Sequence, residues 1–242
     1  IIFSPIIFVF RMISGKEDPK RFLEKFCLYS NLNISKTVWF HGASIGEIVS
    51  ILPVIQKLEK NKKINKILLS SSTTSSASII KKYKFKKTIH VFFPIDNNYL
   101  TNRFIKYWKP QIAFFIDSEI WPNMFKNLKK NKIPIILLNG RITKKSFLRW
   151  TKFPNFSKKI FGKISLAMPQ NIETKKYLKI LGVKKIKFVG NLKYFGKSKK
   201  TLDKNTKKLF RNRLILCAAS THYNEELFLG KIHKELRLKY NN

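Results

Sequence analysis

The sequence predicts an α/β fold in which parallel strands are joined by helices. Short apolar runs alternate with amphipathic stretches along most of the chain, a pattern typical of strand–helix–strand units. Each run ends in a polar cluster, as expected where the strands of an open α/β sheet reach a ligand crevice. A chain of 242 residues is long enough for one large α/β domain, or for one and a half ordinary domains.

The first strand–loop–helix unit is predicted in residues 37–50, TVWFHGASIGEIVS. The apolar run 37–40 indicates a buried strand, and a loop with Gly42 and Gly46 follows it. Apolar residues then recur at helical spacing. They are Ile48, Ile51, Leu52, Ile55 and Leu58.

Glu47, at the start of this helix, has two interpretations. Ser44 and Glu47 fit the S-x-x-E pattern of a capping box, in which both side chains satisfy free amides at the helix start. Alternatively, Glu47 faces the crevice as a general base that takes a proton from a bound hydroxyl. Periodicity does not separate the two hypotheses.

The N-terminal segment is predicted to be a membrane anchor remnant. Residues 1–10, IIFSPIIFVF, are almost wholly apolar and precede Arg11. Ten residues are too few to cross a bilayer, so we expect the end of a longer spanning or interfacial segment; a hydrophobic strand or a signal-peptide remnant is the alternative. Residues 15–29 are expected to form an amphipathic helix with Phe22, Leu23 and Phe26 on one face.

Seven further strands are predicted after the first helix. They are expected at Ile67–Ser70, Thr88–Phe93, Ile112–Ile116, Ile133–Leu138, Ile164–Met168, Ile186–Val189 and Leu214–Cys217. The Ser/Thr-rich residues 70–78 are interpreted as a loop and helix start, whose hydroxyls cap the helix or bind a sugar or anion.

Two carboxylates follow the strand at 112–116. Asp117 and Glu119 flank a serine, and Trp121 comes next. Asp117 is a candidate loop cap, and Glu119 a candidate partner for a lysine. Alternatively, the pair orients a sugar while Trp121 offers a flat apolar face to its ring.

Later strand ends carry further candidate ligand contacts. Arg141 follows Asn139 and Gly140 and can grip a carboxylate or phosphate with two hydrogen bonds. Lys193 ends the motif at 190–193 and is either a solvated charge or a neutralising group for an anionic substrate. Residues 194–213 have the composition of a linker. Ser220, Thr221 and His222 then precede a helix and are expected to contact the ligand or to cap the helix.

The formal net charge of +37 is typical of proteins that meet polyanions, but lysines occur throughout the chain, loops included. No nucleic-acid-binding signature is present, so nucleic acid is not expected as a partner. Cys27 and Cys217 have neither disulfide nor metal spacing and are expected to be buried thiols.

Six motifs occur in one order along the chain: HGASIGE (41–47), DSEIWPN (117–123), NGRIT (139–143), PQN (169–171), GNLK (190–193) and ASTHYNEE (219–226). In order and spacing they resemble the 3-deoxy-D-manno-octulosonic acid (Kdo) transferases of lipopolysaccharide synthesis. The resemblance implies a GT-B glycosyltransferase: a Rossmann-like N-terminal domain with helices on both faces, then the start of a second Rossmann-like domain. It also implies a chain truncated at both ends.

The resemblance implies inverting transfer of Kdo from CMP-Kdo to the lipid A precursor, with no cofactor and no metal. Glu47 matches the family's proton acceptor. Asp117 and Lys193 match transition-state stabilisers, although the family usually has glutamate where this chain has Asp117. The expected substrate-binding residues are Ser44, Gly46, Glu119, Arg141, Ser220, Thr221 and His222.

The expected organisation is an anchor remnant at 1–12, an acceptor-side domain at 13–195, a linker at 196–212 and the beginning of a donor-binding domain at 213–242. The resemblance implies the cytoplasmic face of the inner membrane of a Gram-negative bacterium. Most residues that hold CMP are expected beyond residue 242, so we expect this chain alone to be inactive. Two alternatives stay open: a non-catalytic polyanion- or membrane-binding protein on the same fold, and a GT-B enzyme for another nucleotide sugar.

Overall fold

The computed structural model describes residues 17–29, 36–192, 208, 210–211 and 215–240. The chain divides into two compact units, residues 1–196 and 197–242. The predicted anchor remnant at 1–12 lies outside the described residues, as does nearly all of the predicted linker. The domain boundaries expected from the sequence stay predictions.

The first unit is built on a six-stranded sheet whose neighbouring strands are all parallel. The strand order is β3-β2-β1-β4-β5-β6. The strands are β1 (Thr37–His41), β2 (Ile67–Ser71), β3 (Thr88–Phe92), β4 (Pro110–Ile116), β5 (Ile135–Gly140) and β6 (Leu166–Pro169). The order reverses between β1 and β4, and the carboxyl ends of strands at such a point border the ligand crevice of open α/β sheets.

Helices cover both faces of this sheet. They are α1 (Ile45–Glu59), α2 (Thr74–Lys81), α3 (Asn98–Trp108), α4 (Pro122–Lys130), α5 (Lys144–Thr151), α6 (Pro154–Phe161) and α7 (Ile172–Ile180). Successive strand residues point to opposite faces, so Trp39 packs in a core with Phe125 of α4, whereas Phe40 packs in a second core with Ile51 of α1. The predicted Rossmann-like layering is confirmed.

The predicted helix after the first strand is also confirmed. Ile48, Ile51, Leu52 and Ile55 are all at most 2% exposed on one face of α1. That packing fixes the direction in which the first turn of α1 leaves the sheet.

A short segment before β1 covers the free edge of β3. A 3-10 helix spans Phe22–Phe26. Just before it, Arg21 Nη2 donates to the His90 carbonyl at 2.8 Å, and the Phe92 amide donates to Glu24 Oε2 at 2.9 Å. Two charged side chains thus take the place of a neighbouring strand and satisfy edge groups that otherwise invite pairing with another chain.

The helix predicted over 15–29 is wrong in extent and orientation. Within the described residues 17–29 only this 3-10 helix forms, and it ends where Cys27 adopts a left-handed conformation (φ 59°). Leu23, expected on the buried face, is 45% exposed.

Two predicted strands are wrong. At 186–189 only Ile186 makes an isolated bridge, to Ala167. The chain then turns outward, and Phe188 and Val189 are 46% and 39% exposed. Within 214–217, residues 215–217 form no strand and residue 214 lies outside the described residues. The prediction that residues 70–78 form a loop and a helix start is partly corrected. Strand β2 runs to residue 71, and the helix begins at residue 74.

The described part of the second unit consists mainly of α8 (Glu225–Lys239) and the loop before it. Across the described residues of the whole chain, none of the helices combines the length and apolar character needed to span a bilayer. Cys27 is a buried free thiol as expected, whereas Cys217 is exposed, which corrects that prediction.

Candidate active site

The loop after β1 folds the Glu47 carboxylate back over the start of α1. The hydroxyl of Ser44, the N-cap residue, accepts from the Glu47 amide at 3.4 Å and donates to Glu47 Oε1 at 2.9 Å. The Ala43 amide donates to Glu47 Oε2 at 2.7 Å. The predicted cap is therefore present, with the amide of Ala43 bound in place of the N-cap amide of a standard capping box.

The surroundings of Glu47 raise the pKa of its carboxyl group. Burial is the largest cause, the negative charge of Glu119 adds to it and Asp117 contributes less, while the bonds from Ala43 and Ser44 oppose the rise. A carboxylate with a raised pKa is a stronger base than an ordinary one, as general-base catalysis near neutral pH requires. Capping and proton transfer are thus compatible roles for one side chain.

Open space lies beside this loop at Gly46. A Cβ added there would meet no atom within 4 Å, whereas one added at Gly42 would approach the Glu47 Cβ to 3.1 Å. Gly42 therefore permits the close turn that brings Glu47 back over the loop. Gly46, a predicted substrate-binding residue, is exposed and leaves room for a ligand.

Asp117 is fixed at the end of β4 by its neighbour on β5. It is 5% exposed and has a left-handed backbone (φ 54°). Asn139, 1% exposed and also left-handed (φ 55°), donates from Nδ2 to Asp117 Oδ1. The Asn139 side-chain oxygen accepts from the Leu192 amide at 3.0 Å, and the Arg141 amide donates to the Asp117 carbonyl at 3.0 Å. One asparagine thereby joins three segments that the sequence places in separate motifs.

The sequence did not single out Asn139. The feature that could have revealed Asn139 is a polar residue inside an otherwise apolar strand, directly before a glycine. Sequence reasoning considered Gly140 and Arg141 at this strand end instead. The Arg141 side chain is exposed, as a ligand-gripping group would be. Lys193 lies outside the described residues, one position after Leu192.

Two aromatic side chains bind Glu119, and no lysine of the described ranges pairs with it. His41 Nε2 lies 3.2 Å from Glu119 Oε2, and Trp121 Nε1 donates to the same oxygen at 2.8 Å. On its other side, His41 Nδ1 lies 3.0 Å from the Ser70 hydroxyl, which also accepts from Trp39 Nε1 at 2.9 Å. The Glu119 side chain retains only 12% exposure. This buried chain of polar groups orients the carboxylate, and in the part of the chain that the structure describes it takes the place of the lysine that was one of the two interpretations of Glu119.

His41 is the second site residue that sequence reasoning missed. It closes β1 and is fully buried, with its ring stacked on Phe93 at a centroid distance of 3.9 Å. Its position in the sequence could have revealed it, because His41 begins the motif at 41–47 and ends a strand predicted to be buried. Trp121 packs at 4.9 Å against Phe93, so part of the apolar face predicted to meet a sugar is used internally.

Glu47, Asp117, Glu119 and Arg141 follow β1, β4 and β5, which are neighbours in the sheet. The structure therefore gathers four of the predicted site residues at one edge, where the strand order reverses. In the described part of the chain, no group of three His, Cys, Asp or Glu side chains is placed to hold a metal ion. The prediction that no metal is needed stays a prediction.

The remaining predicted contacts belong to the second unit. The Thr221 hydroxyl donates to Glu226 Oε1 at 2.8 Å, and the His222 amide donates to Glu225 Oε2 at 2.8 Å. Ser220 has a left-handed backbone (φ 57°). These bonds build the loop that begins α8, and a role in ligand binding stays a prediction.

Comparison with solved structures supports the fold. The co-structure of S. aureus MnaA with UDP superposes with a TM-score of 0.53 at 13% identity, over 86% of this chain and 61% of that chain. At this identity the likeness is evidence for the fold alone. The parallel sheet with helices on both faces is a Rossmann-like domain of the GT-B type.

Comparison with sequences identifies the family. The family model described as 3-deoxy-D-manno-octulosonic-acid transferase (kdotransferase) matches residues 20–195. A 3-deoxy-D-manno-octulosonic acid transferase of Rickettsia bellii is 30% identical over 98% of this chain and 57% of its own length. One of Haemophilus influenzae is 27% identical over all of this chain and 59% of its own length. The chain thus spans somewhat more than half the length of these relatives, and it belongs to the Kdo transferase family.

Proposed function

We propose that the protein transfers Kdo from CMP-Kdo to a hydroxyl of the lipid A precursor, with inversion at the anomeric carbon. Membership of the Kdo transferase family supports the reaction class. The observation that carries the proposal is the Glu47 carboxylate, held by Ala43 and Ser44 beside the charges of Glu119 and Asp117, where the strand order reverses.

In this proposal Glu47 is the general base. As the acceptor oxygen attacks the anomeric carbon of Kdo, its proton passes to the Glu47 carboxylate. The bond from that carbon to the phosphate oxygen of CMP breaks, and CMP leaves with the electron pair. The hydrogen bonds from the Ala43 amide and the Ser44 hydroxyl hold the Glu47 carboxylate in place before the acceptor arrives.

Asp117 and Lys193 are proposed to stabilise the transition state. An oxocarbenium-like centre carries developing positive charge, which a fixed carboxylate stabilises best when it need not reorganise. Asp117 meets this condition because Asn139 holds it. Its side chain is one methylene shorter than the glutamate usual in the family, so its carboxylate reaches less far, while the bond from Asn139 fixes its direction. Lys193 would face the anionic groups of the donor.

The remaining predicted residues are assigned to substrate binding. Ser44, Gly46, Glu119 and Arg141 are proposed to contact the acceptor side. Ser220, Thr221 and His222 are proposed to contact CMP-Kdo from the second unit. The proposed setting is the cytoplasmic face of the inner membrane of a Gram-negative cell, where the acceptor lipid resides.

The test is a transfer assay on the protein expressed from its complete reading frame. CMP-Kdo and lipid A precursor are supplied, and both CMP release and the mass of the lipid product are measured. The proposal expects a product heavier by Kdo, and the product mass gives the number of Kdo residues added. Product formation only with another nucleotide sugar would refute the donor assignment. Lipid binding without any transfer would favour the non-catalytic alternative.

A further inference from the structure

The first turn of α4 needs hydrogen-bond partners that its own sequence does not supply. Helix α4 directly follows residues 117–121, which we call the acid loop because they carry Asp117 and Glu119. The N-cap residue of α4 is Trp121, and within the described ranges its side chain makes no cap bond. The first amides of a helix have no acceptor inside the helix and require one from elsewhere.

Asp96, in the loop between β3 and α3, supplies both acceptors. Its Oδ2 accepts from the Asn123 amide at 3.1 Å, and its Oδ1 accepts from the Met124 amide at 2.8 Å. In return, Asn123 Nδ2 donates to the Asp96 carbonyl at 2.7 Å. Pro122, the first residue of α4, has no amide hydrogen. One carboxylate from another loop therefore binds the first two amides that α4 can offer.

This cap also holds the end of the acid loop. Trp121 directly precedes the first turn of α4, and its ring packs against Phe93 at a centroid distance of 4.9 Å. Phe93 belongs to the same connection between β3 and α3 as Asp96. The indole Nε1 then donates to Glu119 Oε2 at 2.8 Å. The direction of that hydrogen bond thus depends on where α4 begins.

The body of α4 is held without Asp96. Phe125 and Leu128 are fully buried, and Asn127 Nδ2 donates to the Thr101 hydroxyl of α3 at 2.7 Å. Loss of the Asp96 carboxylate is therefore expected to loosen the first turn of α4 and the acid loop before it, while the rest of the helix stays packed.

We propose that Asp96 is a positioning residue of the candidate active site. By capping α4 it orients the Trp121 indole, which together with His41 fixes one oxygen of Glu119. In the described part of the chain the other oxygen, Oε1, accepts no hydrogen bond, and it is left for a substrate hydroxyl. That use of Oε1 rests on the proposed function, whereas the cap and its hold on Trp121 do not.

The first test observes the Trp121 indole directly. The protein from its complete reading frame is labelled with ¹⁵N-tryptophan, and the signal that is absent from Trp121→Phe identifies the Nε1–H group of Trp121. We expect Asp96→Ala to move this signal and to speed its exchange with solvent, because the bond to Glu119 loosens. The signal of Trp108, which is buried in the core, should stay in place. Asp96→Asn keeps one acceptor and should move the Trp121 signal less.

Glu59→Ala is the matched control. The Glu59 carboxylate also binds two successive amides of another segment, those of Lys86 and Lys87, each at 3.0 Å. These bonds lie where α1 ends and before β3 begins, at the opposite edge of the sheet from the candidate site. Glu59→Ala should lower the melting temperature but leave the Trp121 signal unchanged. An equal change in Glu59→Ala would overturn the proposal, as would an unchanged signal in Asp96→Ala or, if that variant does not fold, in Asp96→Asn.

A second test asks whether Asp96 acts on Kdo transfer through Trp121. We expect Asp96→Ala to lower kcat/KM about 10- to 100-fold, since a misplacement of about 1 Å costs up to about 10²-fold. In a Trp121→Phe background the same substitution should cost much less, because the indole bond is already lost. Losses that multiply in full would contradict action through Trp121. Absence of transfer by the wild type would refute the proposed function, and the indole signals would still decide whether Asp96 positions Trp121.

Discussion

Asn139 offers a sharp test of how the site is held together. Its side chain makes one hydrogen bond to the Asp117 carboxylate and one to the Leu192 amide. Bonds to charged groups contribute about 1.5 to 3 kcal/mol and neutral ones about 0.5 to 1.5 kcal/mol. Asn139→Gly removes both while keeping the left-handed backbone at little cost, so the free energy of unfolding should fall by about 2 to 4 kcal/mol.

Asn139→Ala should lower the free energy of unfolding further than Asn139→Gly does. Alanine loses the same two bonds and also carries a Cβ into the left-handed conformation (φ 55°), at a further cost of about 1 to 2 kcal/mol. The difference in the free energy of unfolding between the two variants therefore reports the backbone strain, because both variants lose the same hydrogen bonds.

The assay is thermal unfolding combined with amide hydrogen exchange. For a domain of this size 1 kcal/mol corresponds to about 2 to 4 °C, so Asn139→Gly should lower the melting temperature by about 4 to 16 °C. Exchange at the Leu192 amide should accelerate. Lys132→Gly is the control, because Lys132 is also left-handed (φ 58°) but exposed, and it should not lower the melting temperature. A melting temperature of Asn139→Gly within about 2 °C of wild type, with Leu192 still protected, would refute the reasoning.

Two further predictions concern pH. Burial and the adjacent Arg21 charge lower the pKa of His90 to about 3 from 6.5. Between these two pH values the unfolded chain binds a proton that the folded chain does not. The free energy of unfolding should therefore decline as the pH falls below about 6.5 toward 3. Melting temperatures at pH 5 and 7.5 should differ less in His90→Gln than in wild type; an unchanged difference would contradict the assignment. Because the charge of Glu119 raises the pKa of Glu47, Glu119→Gln should shift the acid limb of the kcat/KM profile for Kdo transfer to lower pH, and a shift to higher pH would argue against coupling of the two carboxylates.

The fold was predictable where local pattern and tertiary packing agree. The apolar spacing after residue 47 predicted α1, because one face of that helix is buried from Ile48 to Ile55. The strand predicted at 186–189 failed because pairing with β6 is limited to the bridge at Ile186, and an apolar run does not reveal how far pairing with a neighbouring strand extends. The helix predicted over 15–29 is cut short at its C-terminal end by a single left-handed residue, Cys27, which an apolar periodicity does not reveal.

The site was predictable at the level of motifs but not of contacts. Glu47, Asp117 and Glu119 could be predicted because they follow predicted strands, and the carboxyl ends of all strands in a parallel sheet lie at the same edge. Glu47 is held by residues of its own loop, but the partners of Asp117 and Glu119, which are Asn139 and His41, come from other strands. Their roles depend on the order of strands in the sheet, which spacing along the chain does not contain.

The central claim is that the Glu47 carboxylate serves as the base as well as the cap. The most direct measurement compares Kdo transfer by wild type, Glu47→Gln and Ser44→Ala in the protein expressed from its complete reading frame. Glutamine also suits the capping position and should keep the fold while removing the base, and Ser44→Ala removes the cap at a cost of about 1 kcal/mol while leaving the carboxylate. We expect kcat to fall about 10²- to 10⁴-fold in Glu47→Gln and much less in Ser44→Ala. Near wild-type transfer by folded Glu47→Gln would contradict the claim and leave Glu47 as a cap alone.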